Sequence, residues 1–183
     1  AMTGDEAEFH KWDDKLGFYT PVLKGFLTEL SLESAKHGMQ IYGGHGYIKE
    51  WGMEQIARDA RIGTLYEGTT GVQALDLLGR KVLIQSKGKL VLDYTANIMK
   101  WCSEYALDKG MRKFVWQLTK YCAEWNTLTT RIMLTARKDR EIVSAASDDY
   151  LMYSGYVIMG YHWARMAAIA YDKLKNGGSE TQE

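Results

Sequence analysis

Residues 66–71 read Tyr66-Glu67-Gly68-Thr69-Thr70-Gly71, a lone carboxylate followed by a glycine, two small hydroxyl residues and a second glycine. Glycine lets a backbone come close to a ligand, and hydroxyls and amides can hold an anion or a cofactor edge. Glu67 would then hang beside a bound molecule as a general base. Two further pieces precede it: Gln40-Ile41-Tyr42-Gly43-Gly44-His45-Gly46-Tyr47 and Arg58-Asp59-Ala60-Arg61. The first offers backbone groups where a helix stops, and the second offers counter-charge to phosphate. Each piece has a plain structural alternative. Glu67 could be a carboxylate favoured by a helix dipole, the glycines could shape a turn, and the basic pair could be a solvated helix face. Their succession between residues 40 and 71 favours the chemical reading.

The elements that must position these residues read as helices. The chain has 183 residues, 46% of them apolar, and a single proline, Pro21. Those figures favour an all-α fold with a substantial core. Thr20-Pro21 is a helix start in form, and Leu23, Leu27, Leu30 and Ser34 step along one face, predicting a helix from Pro21 to about Tyr42. Trp51 to Arg61 predicts a shorter helix with Met53, Ile56, Ala57 and Ala60 inward and a Glu54–Arg58 pair outside. Residues 63–71 are irregular, and Val72, Leu75, Leu78 and Val82 mark the next helix.

The second half predicts long antiparallel helices. Ile98, Trp101, Cys102 and Tyr105 give one face. Phe114, Leu118, Tyr121, Trp125, Leu128 and Ile132 give a seam in steps of four and three. Glu141 to Leu174 form a last helix rich in small residues, suited to the centre of a bundle, with His162 as a bundle histidine. The polar tail from Asn176 to Glu183 reads as disordered, and Leu83–Lys89 as a subdomain junction.

Charge and composition exclude several classes. With 23 Lys+Arg against 23 Asp+Glu, no net field recruits nucleic acid. The most apolar stretch, Tyr150 to Ala164, is shorter than the ~20 residues that span a bilayer. Cys102 and Cys122 are too few for a disulfide framework and have no metal-ligand spacing, so a reducing cytoplasm is expected and no metal. Ala1-Met2 reads as an expression remnant ahead of an internal segment.

Taken together, the three pieces resemble the C-terminal part of the acyl-CoA dehydrogenase family over most of residues 20–84. Gln40, Gly43, Gly44, Gly46 and Tyr47 meet its glycine signature. Arg58-Asp59-Ala60-Arg61 meets its basic helix, and Tyr66-Glu67-Gly68-Thr69 its catalytic segment. Gly-Val-Gln-Ala-Leu-Asp at 71–76 and Gly79-Arg80-Lys81 extend the match. Residues from about 85 onward resemble the extra helical region of one branch.

The resemblance implies a domain of residues 1–84, an incomplete catalytic helical bundle, followed by a helical extension over 85–183. It implies that Glu67 removes the pro-R α-proton of an acyl-CoA thioester while the β-hydrogen leaves as hydride to FAD. Gly68 would lie against the thioester, and Thr69, Thr70 and Gly71 would contact FAD. Gln40, Ile41, Tyr42, Gly43 and Gly44 would reach the FAD of a neighbouring subunit, so a homo-oligomer is implied, as is an electron-transfer partner. Gly71 stands where many relatives carry glutamine, leaving only backbone there. The family's N-terminal helical domain and middle β domain have no counterpart, so the chain alone is expected to be inactive and not to retain FAD. Two other readings stay open: an acyl-CoA oxidase, and a non-catalytic helical interaction module.

Overall fold

A computed structural model of the chain describes residues 6–175 and 177, the side chains of residues 7 and 11 excepted. The expected remnant at Ala1-Met2 lies outside these residues, as does the polar tail apart from Gly177. All regular elements among the described residues are helical. They are α1 (Glu6–Pro21), α2 (Leu27–Tyr42), the single turn α3 (Gly44–Tyr47), α4 (Met53–Gly63), α5 (Thr70–Leu75), α6 (Lys89–Glu104), α7 (Arg112–Thr135) and α8 (Glu141–Lys175). Two π-helical segments, Val22–Phe26 and Asp76–Gln85, join α1 to α2 and extend α5.

Pro21 does not start a helix. The chain is already helical from Glu6, and the Thr20 hydroxyl donates back to the Leu16 carbonyl at 2.8 Å instead of capping. Proline lacks the N–H that would bond the preceding turn, and helices absorb that defect by widening locally. Here the wide turn is Val22–Phe26, which keeps Phe18, Val22 and Phe26 facing the core. The widening shifts the register, so Leu23 and Leu27, predicted inward, are 52% and 40% exposed. The face predicted for the next helix is also turned: Val72 and Leu75 face out, whereas Ala74, Leu77, Leu78 and Val82 are buried.

One core runs through both halves of the chain. Phe18, Val22 and Phe26 meet Leu77, Leu78 and Val82, then Ile98 and Cys102 of α6, Leu118, Cys122 and Trp125 of α7, and Leu151 and Val157 of α8. Between the halves, Ser86–Gly88 turns on two left-handed residues, Lys87 and Gly88 (φ 50° and 83°). On α7 the buried set is Val115, Leu118, Cys122, Trp125 and Thr129. Phe114, Tyr121 and Leu128, expected in the seam, lie toward solvent. Trp125 is fully buried, and the neighbouring Tyr150 hydroxyl shares a 2.7 Å hydrogen bond with the Thr129 hydroxyl; burial pushes the Tyr150 phenol up to about 12. His162 is exposed on α8, not packed in the bundle. Both cysteines are free and buried, and burial pushes the Cys122 thiol up to about 12. Among the described residues no helix is long and apolar enough to cross a membrane.

The close crossing of the Glu6–Tyr42 rod over α8 needs small residues at the contact. A Cβ on Gly155 would fall 2.2 Å from Cγ of Phe26, and one on Gly25 would fall 2.6 Å from Cδ2 of Leu151. Phe26 is itself buried and has nowhere to retreat. Gly155→Ala is therefore expected to destabilise the fold by about 1–3 kcal/mol. Urea or thermal unfolding checks this, and an unchanged midpoint would contradict the packing described.

Candidate functional site

The loop between α4 and α5 is built around Glu67. Helix α4 ends at Gly63, where the Arg61 guanidinium donates to the buried Thr64 hydroxyl at 3.1 Å. The backbone then turns through two left-handed residues, Glu67 (φ 53°) and Gly68 (φ 91°). For a non-glycine residue that conformation costs about 1–2 kcal/mol. The turn leaves Glu67 exposed at the tip. Among the described residues its carboxylate takes part in no ion pair, and the one hydrogen bond recorded for Glu67 goes to its backbone carbonyl.

Several bonds hold the turn in place. The Lys24 ammonium donates to the carbonyls of Gly63 at 2.7 Å and Gly68 at 2.8 Å, and lies 5.6 Å from the centre of the Tyr66 ring. Bonds from a charged donor contribute roughly 1.5–3 kcal/mol each, so the two outweigh the strain of the turn. The Gln73 amide donates to the Glu67 carbonyl at 3.3 Å. The Thr70 hydroxyl donates to a Glu29 carboxylate oxygen at 2.5 Å. Thr69 precedes α5 with extended backbone and makes no side-chain cap. The first backbone N–H groups of α5 have no acceptor within their own helix.

Sequence-predicted residues fall into two groups. Glu67, Gly68, Thr69, Thr70 and Gly71 form one cluster against the start of α2. Gln40, Ile41, Tyr42, Gly43 and Gly44 lie exposed at its far end, and from Glu29 to Gly43 the helix runs about 20 Å. Gly43 ends α2 in a conformation reserved for glycine (φ 59°, ψ −139°), and its N–H donates to the Gln40 carbonyl at 3.0 Å. Gly46 is buried, since a Cβ there would meet the Met39 carbonyl at 2.5 Å.

Helix α4 lies between the two groups and exposes its charges. Ile56, expected inward, faces solvent, and the expected Glu54–Arg58 pair is not formed; the Gln55 amide instead donates to Asp59 at 2.7 Å. Arg58 and Arg61 join Lys49, Glu54 and Tyr47 around an open cleft of about 660 Å³. A second, apolar cleft of about 530 Å³ lies between α7 and α8, lined by Phe114, Tyr121, Tyr153, Tyr156 and Trp163 among others. Glu67 lines neither. Among the described residues no group of three or more His, Cys, Asp or Glu could hold a metal ion.

Sequence reasoning missed Lys24, Glu29 and Gln73, the residues that hold the loop. One signal was available for Lys24: it is the only charge in the apolar run from Pro21 to Leu27.

Comparison with known proteins matches both halves. A family described as "Acyl-CoA dehydrogenase, C-terminal domain" matches residues 5–83, and one described as "Acetyl-CoA dehydrogenase C-terminal like" matches residues 94–182. The chain is 37% identical over 164 residues to 3-methylmercaptopropionyl-CoA dehydrogenase of Ruegeria pomeroyi, covering 88% of this chain and 27% of that protein. It is 29% identical over 165 residues to the broad-specificity linear acyl-CoA dehydrogenase FadE5 of Mycobacterium tuberculosis, covering 87% and 27%. Over 56 residues it is 43% identical to the caffeyl-CoA reductase-Etf complex subunit CarC of Acetobacterium woodii, covering 31% and 15%. The chain thus spans about a quarter of the length of the first two relatives.

Gly68→Ala tests the loop geometry. A Cβ at Gly68 would sit 2.6 Å from the Gln73 amide nitrogen, displacing the group that holds the Glu67 carbonyl, and the left-handed backbone would remain. The substitution is expected to cost about 1–2 kcal/mol in urea unfolding. An unchanged midpoint would contradict the turn described.

Proposed function

The chain belongs to the acyl-CoA dehydrogenase family, and from that premise we propose that it carries the catalytic base of a flavin-dependent enzyme that desaturates an acyl-CoA thioester. The observation that carries this reading is Glu67 itself: exposed, in no ion pair among the described residues, and held at the tip of an anchored turn. A carboxylate unpaired among the described residues, on a strained and braced loop, suits a ligand, because strain of this kind clusters where function uses it.

Glu67 takes the α-proton of the thioester, and the β-hydrogen departs as hydride while the α,β double bond forms. FAD, when bound, supplies the hydride acceptor. An acyl chain laid over the loop would exclude water from the proton transfer. Gly68 presents bare backbone next to the base, where the thioester would lie. The exposed Thr69 hydroxyl and the free N–H groups at the start of α5 suit a flavin edge. The Thr70 hydroxyl is already engaged by Glu29, so Thr70 offers its backbone, and Gly71 offers backbone only.

The exposed Gln40–Gly44 segment, about 20 Å of helix away from the base loop, suits contact with the FAD of a neighbouring subunit. A homo-oligomer follows from that reading. The apolar cleft between α7 and α8 favours an assembly role for residues 85–183. An electron-transfer partner is supported by the relative whose name places it in a complex with Etf. Two free, buried thiols fit a reducing compartment such as the cytoplasm. The chain spans about a quarter of the length of the first two relatives, and by itself it is expected not to turn over.

In the intact polypeptide, Glu67→Gln is expected to lower kcat for a saturated acyl-CoA by about 10²–10⁴-fold with flavin content preserved. Near-normal turnover would contradict the assignment.

A further inference from the structure

We propose that Lys24 is the positioning residue of the base, holding Glu67 at reacting distance by clamping the turn that bears it. The proposal rests on the reading of Glu67 as the base. Lys24 is half-buried, and among the described residues no carboxylate pairs with it. Its charge is met by two carbonyls, Gly63 at 2.7 Å and Gly68 at 2.8 Å, with the Tyr66 ring 5.6 Å away. These two carbonyls bracket the turn. Gly63 is the last residue of α4, where carbonyls lack intrahelical partners and a cation is favoured. Gly68 directly follows Glu67.

A lysine that only capped α4 would need the first of these bonds. The second closes residues 64–68 into a loop pinned at both ends to one ammonium. Glu67 sits inside that loop at φ 53°, a conformation it does not adopt unaided. Lys24 owes its direction to the π segment Val22–Phe26 that follows Pro21, since the wide turn changes the register of every side chain after it. Local π segments of this kind recur at functional sites. On α2, Glu29 fixes the other flank through Thr70 at 2.5 Å. One continuous helix therefore holds the base from both sides.

Lys24 touches neither reacting atom, so its removal displaces the base without removing it. A shift of about 1 Å in a reacting group costs on the order of 10²-fold in rate. In the intact flavoprotein, Lys24→Met is expected to lower kcat about 10- to 100-fold, with KM changed less than about threefold. Hydrogen exchange should quicken in residues 64–70 and not in α7 or α8. Lys24→Arg, which keeps charge and donors, should recover most of kcat. Because Lys24 acts only through Glu67, adding Lys24→Met to Glu67→Gln should cost nothing further. Turnover of Lys24→Met within twofold of the parent would overturn the proposal, as would a full further loss in the double variant. If Lys24→Met fails to hold flavin, Lys24→Arg and Lys24→Gln decide it: high kcat in the first and low kcat in the second supports the clamp, and equal kcat refutes it. Near-normal turnover of Glu67→Gln alone would instead sink the base reading, whatever Lys24 does.

Discussion

The Phe26 ring lies against the bare backbone of Gly155, and the geometry of the site depends on that contact. With no side chain at Gly155, the Glu6–Tyr42 rod rests directly on α8. Gly25 one position earlier lets Leu151 close from the other side. With Val22 and Phe26 fixed inward, the rotation of the rod is set. Lys24 and Glu29 then face the α4–α5 loop, and the Gln40–Gly44 segment is carried to the far end. Core packing and site geometry are thus one constraint, transmitted along a helix too tightly packed to turn about its axis.

The loop spends part of that stability. Glu67 is left-handed, its carboxylate has no ion-pair partner among the described residues, and Lys24, Gln73 and Glu29 brace the turn around it. Such a side chain does nothing for the fold. On the proposed reading, an acyl chain and a flavin would cover it and exclude water. The braces are on this chain, which spans about a quarter of the length of the Ruegeria and Mycobacterium relatives.

The turns were legible because their signals are short and local: glycine at 43, where φ is positive, and glycine at 68, where the turn after Glu67 is left-handed. The all-helical class and the bounds of α8 were legible from composition and period. Helix faces were less legible, on α4 and α7 as well as around the first π segment. A period of 3.6 extrapolated through Pro21 puts Leu23 and Leu27 inward, whereas the wide turn hands that place to Val22 and Phe26. The start at Thr20-Pro21 failed for a related reason. Burial of Phe18, Val22 and Phe26 on one face outweighs the hydrogen bond proline removes. His162 was misplaced because an apolar helix rich in small residues gives no sign of which side meets solvent. Lys24 escaped notice because its partners are carbonyls 39 and 44 residues away.

Transfer of the substrate α-hydrogen to Glu67 is the central claim, and isotope exchange reads it directly. The intact flavoprotein would be incubated without oxygen or electron acceptor in deuterated water with a saturated acyl-CoA, and deuterium at the α-carbon followed by mass spectrometry. A reversible proton transfer to a carboxylate predicts steady α-exchange in the parent and its loss in Glu67→Gln at equal flavin content. Exchange at the same rate in both would show that another group takes the proton, and the account of Glu67 would be wrong.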